Sequence, residues 1–193
     1  MVSIFIFKKL TGFIGKKYFK NSVLSLIRKK KYLNYIIYIK MFISDLKLGQ
    51  KYEQKLLELL PYDSFTHKVG YSKKKDISLD GFNKNYDLTI TKDDITTKYE
   101  VKSDRRAINT LNLALEFECR GKPSGIMTTE ADIYAYFIIK PDDLFDLYLI
   151  PVEDLKKLIE EKKYKRLVNG GDGWLSKMYL ICLTSLEQYK FKQ

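Results

Sequence analysis

The sequence predicts a single α/β (α+β) domain with a mixed β-sheet flanked by helices, and three observations carry that prediction. Apolar residues recur at helical spacing over 43–60 and 151–167. Two shorter stretches, 86–104 and 109–120, alternate apolar and polar residues as half-buried strands do. Two continuous apolar runs, YAYFIIK and FDLYLIP, read as buried strands. A chain of 193 residues suits one domain and is long enough to bury a core.

The elements follow in order. In 43–60, Leu46, Leu48, Tyr52, Leu56, Leu57 and Leu60 form the apolar stripe, Glu53 lies beside it, and Pro61 is the stop signal. Residues 61–85 are mostly loop, with a short strand near 65–71. A hairpin comes next. Leu88 and Ile90 alternate with Asp87 and Thr89, a turn falls around Lys92–Asp94, and Tyr99 and Val101 alternate with Glu100 and Lys102.

A third strand, NTLNLALEFECR, sets Leu111, Leu113, Leu115, Phe117 and Cys119 on one face. Asn112, Ala114, Glu116 and Glu118 fall on the other. GKPSG is a turn, and Thr129 with Asp132 matches the T-x-x-D start of a short helix. After the two apolar strands, PVEDLKKLIEEKKYKRL predicts a helix with acids in its first turn, lysines in its last and Leu155, Leu158 and Ile159 as its stripe. NGGDG is a loop and KMYLICLTSL the last strand. The predicted order is α, β, β, β, α, β, β, α, β around one mixed sheet, with no internal repeat and no linker within 41–193.

Charge is unevenly placed. Residues 1–40 hold ten Lys or Arg and no acid, leaving 25 basic against 24 acidic residues in 41–193. The net charge of +11 therefore belongs to the N-terminal extension and says little about what the domain binds. No stretch of 1–40 approaches the ~20 apolar residues a membrane span needs, so membrane contact is not expected. Met41 is a candidate start, and organelle targeting by 1–40 is a further reading of the same segment. Cys119 and Cys182 make neither a disulfide framework nor a zinc pattern, which points to an intracellular, reducing compartment such as cytoplasm, nucleus or a viral factory. His67, the one histidine, has no catalytic context.

Period-two alternation puts Glu100 and Lys102 on one sheet face, about 6–7 Å apart. If the neighbouring strand turns Asp87 the same way, two carboxylates converge beside one ammonium. Hard divalent cations take such oxygen ligands, and Mg²⁺ needs only one or two carboxylates besides waters and a phosphate oxygen. In a chain with 31% charged residues, the same triplet also describes a solvated face with a weak cross-strand ion pair.

The arrangement resembles the PD-(D/E)XK nuclease superfamily over most of residues 43–140. Asp87 falls at that family's aspartate and Glu100 and Lys102 at its E-x-K, with Tyr86 where the motif's proline would stand. GQKYE supplies Gly49 and Glu53, similar to the G-x-x-x-E of the branch that includes archaeal Holliday junction resolvases. The T-T-x-A-D-x-Y-x-Y run at 128–136 looks like a stretch that follows E-x-K in viral and phage nucleases. The resemblance implies a restriction-endonuclease-like core of helix, three-stranded meander, helix and further strand. It implies a Mg²⁺-dependent endonuclease acting on DNA in repair, recombination or mobile-element replication. Mn²⁺ would substitute, no small-molecule cofactor would be needed, and a homodimer would be in keeping. Asp87, Glu100 and Glu53 would bind metal together with the Val101 carbonyl, and Lys102 would assist the attacking water.

Arg105, Arg106, Lys122, Ser124 and Thr128 are candidate contacts to substrate phosphate. Ser124, Thr128 and Thr129 stand where a helix N-terminus is predicted, and amides there favour an anion or are simply capped. Glu116 and Glu118 are candidate outer ligands, or they balance Lys102 and Arg120. Trp174 either stacks on a base or anchors the loop after its glycines. Two other classes stay open at this point: a non-catalytic nucleic-acid-binding module on the same fold, and a membrane-attached protein held by 1–40.

Overall fold

A computed structural model describes residues 22–67, 85–171 and 174–192. The chain divides into two units, residues 1–45 and 46–193. Helix α1 (Ser22–Leu59) spans this division and ends two residues before Pro61, as the stop signal requires, but it begins some twenty residues before the predicted start. Among the described residues, no helix is long and apolar enough to cross a membrane.

The unit 46–193 has mixed α/β content and two sheets, where a single mixed sheet was predicted. The first is five-stranded. It contains β1 (Ser64–His67), β2 (Leu88–Lys92), β3 (Ile95–Asp104), β6 (Ile133–Ile139) and β7 (Phe145–Pro151), in the order β1-β2-β3-β6-β7. Strands β1, β2 and β3 form an antiparallel meander. The β2–β3 turn is tight because Asp93 and Asp94 both take left-handed backbone angles (φ 50° and 62°), which short aspartate side chains tolerate and a two-residue hairpin needs. Strand β3 then pairs in parallel with β6, and β6 antiparallel with β7.

A parallel pair needs a crossover between its strands. Here the crossover is residues 105–132, which supply two of the four strands of a second sheet. It contains α2 (Ala107–Thr110), β4 (Asn112–Cys119), β5 (Lys122–Pro123) and a 3₁₀ turn at Gly125–Met127. The predicted third strand is thus corrected twice. Its first residues are helical, with Leu111 left-handed at the exit, and the strand proper joins the four-stranded antiparallel sheet β5-β4-β9-β8. In that sheet β8 is Arg166–Gly170 and β9 is Ser176–Cys182. No helix starts at Thr129; residues 129–132 lead into β6 without helix.

Helix α3 (Val152–Glu160) is shorter than predicted. Lys162 takes φ 55°, and the N–H groups of Lys162 and Lys163 donate to Ile159 O and Leu158 O. This left-handed stop satisfies the last carbonyls and turns the lysine-rich tail into β8. Strand β9 ends at Cys182, and the predicted remainder of that strand is a 3₁₀ segment, Leu183–Tyr189.

Strand parity sorts two cores. Leu88, Ile90, Val101, Ala135, Phe137 and Leu147 face Tyr52, Leu56 and Leu57 of α1. Tyr52 and Phe137 pack at 4.9 Å between ring centroids. The opposite sheet face presents Tyr134, Tyr136, Ile138, Tyr148 and Ile150 to Leu113, Leu115, Ile181, α3 and the final 3₁₀ segment. Each fully buried Leu or Phe contributes about 1.5–3 kcal/mol of transfer free energy, so α1 and the second sheet are both held chiefly by burial.

Candidate functional site

Strand parity also decides where the charged triplet points. Leu88 pairs with Tyr99, and both belong to the α1-facing core. One step outward along the same register, Asp87 lies opposite Glu100, on the face away from α1. Lys102 follows on that face two residues later. Asp87 N donates to Tyr99 O (2.9 Å), and Asp87 Oδ2 accepts from Val101 N (2.7 Å). The Val101 N–H meets Asp87, and its side chain is buried against α1.

Lys102 Nζ contacts Glu100 Oε1, with the lysine side chain 45% exposed and the glutamate 12%. Desolvation raises the Glu100 pKa, and the charges of Asp87 and Glu53 add to the rise, outweighing the opposing effect of Lys102. For Lys102, low-polarity surroundings pull the pKa down, but Glu100, Asp87 and Tyr134 outweigh them and the net shift is upward. The ammonium is therefore the charge that holds the acids together. Glu53, on α1, enters through its electrostatic effect on Glu100, and Gly49 stands one turn before it, where an added Cβ would meet Glu53 Oε1 in ordinary contact at 3.9 Å.

Glu100 and Lys102 line a cavity of about 460 Å³ between the two sheets. Its other walls include Glu116, Gly125, Thr128 and Tyr134. Glu116 Oε1 accepts from Ser124 Oγ (2.7 Å). The turn can press against β4 there because residue 125 is glycine. Its φ is +53°, and an added Cβ would sit 2.3 Å from Glu116 O. A bulge separates Glu116 from Glu118, and Glu118 pairs with Lys177 (2.9 Å) in place of Lys102 or Arg120.

The T-T-E-A-D run works as a clamp on the strands that carry the acids. Thr129 Oγ1 donates to Asn85 O (2.9 Å) and Glu130 N to the same oxygen (2.8 Å), two residues before Asp87. Asp132 Oδ2 accepts from Lys98 N (2.7 Å), and Asp132 N donates to Lys98 O (2.9 Å), two residues before Glu100. The spacing that resembles a helix start therefore serves non-local bonds.

The candidate phosphate contacts separate. Thr128 lines the cavity and Ser124 reaches it through Glu116. Arg105 and Arg106 are exposed beyond β3, with Arg105 acting electrostatically on Tyr52 of the α1 layer. Lys122 is exposed in β5, and none of these three lines the cavity. Trp174 is 75% exposed with φ 60°, so it anchors no core. Sequence reasoning missed Tyr134 and Asp104. Asp104 ends β3 on the Glu100 face and accepts from Tyr136 Oη (2.6 Å) and from the N–H groups of Arg106 and Ala107. Its period-two spacing from Glu100 was the available signal.

Among the described residues, no group of three or more His, Cys, Asp or Glu is arranged to hold a metal ion. Mg²⁺ does not require three protein ligands. Two carboxylates on one face, with the charge of Asp87 raising the pKa of Glu100, are a donor set that fits a hard cation. Comparison of the chain with protein-family models, with curated proteins and with solved structures finds no match.

Proposed function

We propose that the protein is a Mg²⁺-dependent nuclease that hydrolyses phosphodiester bonds of DNA. The observation that carries the reading is the shared face of Asp87, Glu100 and Lys102, with Glu100 and Lys102 on a cavity wall. Support comes also from element order: a helix bearing Glu53, the meander β1-β2-β3, then a strand parallel to β3, although the crossover holds strands β4 and β5 where the resemblance implies a helix.

Asp87 and Glu100 would hold the cation, with Glu53 adding negative charge from α1. A bound Mg²⁺ supplies a water of lowered pKa and neutralises charge on the phosphate. Lys102 remains an ammonium because Glu100 and Asp87 stabilise it, so its part is to bind a phosphate oxygen and offset developing negative charge rather than to accept a proton. The Thr129–Asp132 clamp keeps the two carboxylates in register, which the proximity of reacting groups demands. The two free cysteines are in keeping with a reducing compartment as the place of action.

The test is a cleavage panel of duplex, nicked, flapped and branched DNAs with Mg²⁺ or Mn²⁺. Asp87→Ala and Lys102→Ala are expected to abolish cleavage while far-ultraviolet circular dichroism stays native. Cleavage that survives in both variants overturns the site assignment.

A further inference from the structure

We infer that Tyr134 is a further catalytic residue of this site, its hydroxyl donating a hydrogen bond to a non-bridging oxygen of the phosphodiester held at Lys102; the inference rests on the nuclease reading above. Strand β6 runs parallel to β3 with Tyr134 beside Glu100 and Tyr136 beside Lys102. The two tyrosines therefore share the face of the charged triplet. Their rings lie 6.4 Å apart at 24°, and both are almost fully buried, at 4% and 2% exposure.

Their hydroxyls differ. Tyr136 Oη is committed to Asp104 Oδ2 at 2.6 Å and so belongs to the scaffold. Tyr134 Oη has no hydrogen-bond partner among the described residues, yet its side chain lines the cavity with Lys102, Glu100 and Glu116. The ring is packed while the hydroxyl stays on the cavity side: among the described residues the one fully buried side-chain polar atom left unpaired is Asn112 Oδ1, so Tyr134 Oη is reachable from the cavity. A ring held in place by packing, with an uncommitted hydroxyl open to a cavity, suits a donor that meets a ligand there. The charged lining is Glu100, Asp104 and Glu116 against Lys102, so an anion is held there together with the cation of Asp87 and Glu100, beside the Lys102 ammonium. A phosphate oxygen there can accept from the ammonium and the phenol together. The phenol adds a neutral donor, which does not compete with a cation held by Asp87 and Glu100.

The experiment compares Tyr134→Phe and Tyr136→Phe in the full chain with Mg²⁺, on the DNA that the wild type cuts best. Melting temperature, kcat and KM are measured for each. Tyr134→Phe is expected to keep the wild-type melting temperature and to lower kcat by about ten- to a hundredfold with little change in KM. Tyr136→Phe is expected to lower the melting temperature, since it frees Asp104. A second readout places each single phosphorothioate diastereomer at the mapped scissile bond. One of the two should slow the wild type, and that penalty should shrink in Tyr134→Phe, because sulfur accepts poorly from a phenol and the variant has none to lose. Wild-type kcat in Tyr134→Phe, or an undiminished sulfur penalty, overturns the inference while cleavage by the wild type and its loss in Lys102→Ala leave the nuclease reading standing. A wild type that cuts no DNA in the panel overturns both.

Discussion

Asp87 Oδ2 sits 2.7 Å from the backbone nitrogen of Val101, so the acid on one strand is tied to the residue between Glu100 and Lys102 on the next. One carboxylate thereby does two things. It pins the hairpin register at its open end, and it adds negative charge beside Glu100.

Asp87→Asn separates these effects. The amide oxygen can still accept from Val101 N, so the melting temperature should change little. Loss of the charge should lower the Glu100 pKa, because one of the two acids that raise it is gone. Carbon-detected NMR titration of the Glu100 carboxyl reads the shift directly. An unchanged or raised Glu100 pKa would show that the two carboxylates do not interact.

Asp132→Ala removes the acceptor for Lys98 N and is expected to cost about 1 kcal/mol, the net worth of one such bond. Because that bond lies two residues before Glu100, cleavage should fall along with stability. Denaturant unfolding and a cleavage assay on the same preparation check both. Loss of stability with full cleavage would mean that the clamp does not position the site.

Gly125→Ala forces a side chain into a left-handed position, 2.3 Å from Glu116 O. The turn must move off β4, at a cost of at least about 1–3 kcal/mol. For a chain of this size that corresponds to roughly 2–4 °C of melting temperature per kcal/mol. A calorimetric melting temperature equal to wild type would refute the close approach.

Leu56→Ala should destabilise by about 2–5 kcal/mol, as expected for a cavity left at a core residue with 0% exposure. The urea midpoint reads it. A loss below 1 kcal/mol would mean that α1 is not packed on the sheet through Leu56.

Acid should weaken the end of β7. Partial desolvation pushes the Asp146 carboxyl up, but Lys140 at 2.8 Å and Lys190 at 3.4 Å outweigh it and hold the pKa below the usual carboxylate range. A folded pKa below the unfolded value of about 3.9 gives stability that is complete above that pH and is lost as pH falls through the folded pKa. Asp146→Asn should therefore cost under about 1 kcal/mol at pH 7 and less at pH 2. Urea midpoints at the two pH values test the sign.

Local signals were legible in the sequence where the partner of a residue is close in the chain. The hairpin 88–104 was readable because alternation and a two-residue turn specify each other, and FDLYLIP matched β7 at both ends. Asp87, Glu100 and Lys102 share a face by parity alone, once that hairpin forms. The errors have one physical source. Strand β4 alternates like a third meander strand, yet its partner β9 lies some sixty residues on, and alternation carries no information about which strand will pair. Thr129 and Asp132 have the spacing of a capping box but bond to Asn85 and Lys98. Lysines at 161–165 favour a helix C-terminus, and the left-handed Lys162 stopped it earlier than composition could tell. Tyr134 looked like one more core aromatic because a free hydroxyl is not visible in a sequence.

The pairing of β4 with β9 has a consequence for the order in which the chain is made. Strand β4 leaves the ribosome long before Ser176–Cys182 exists, so both its edges stay bare apart from the two residues of β5. Until β9 emerges, the nascent chain displays an unpaired apolar strand, the kind of edge that invites association with other chains. Met178 of β9 lines the cavity beside Glu116, so a polypeptide stalled before Ser176 would have all three charged residues and an unfinished cavity wall.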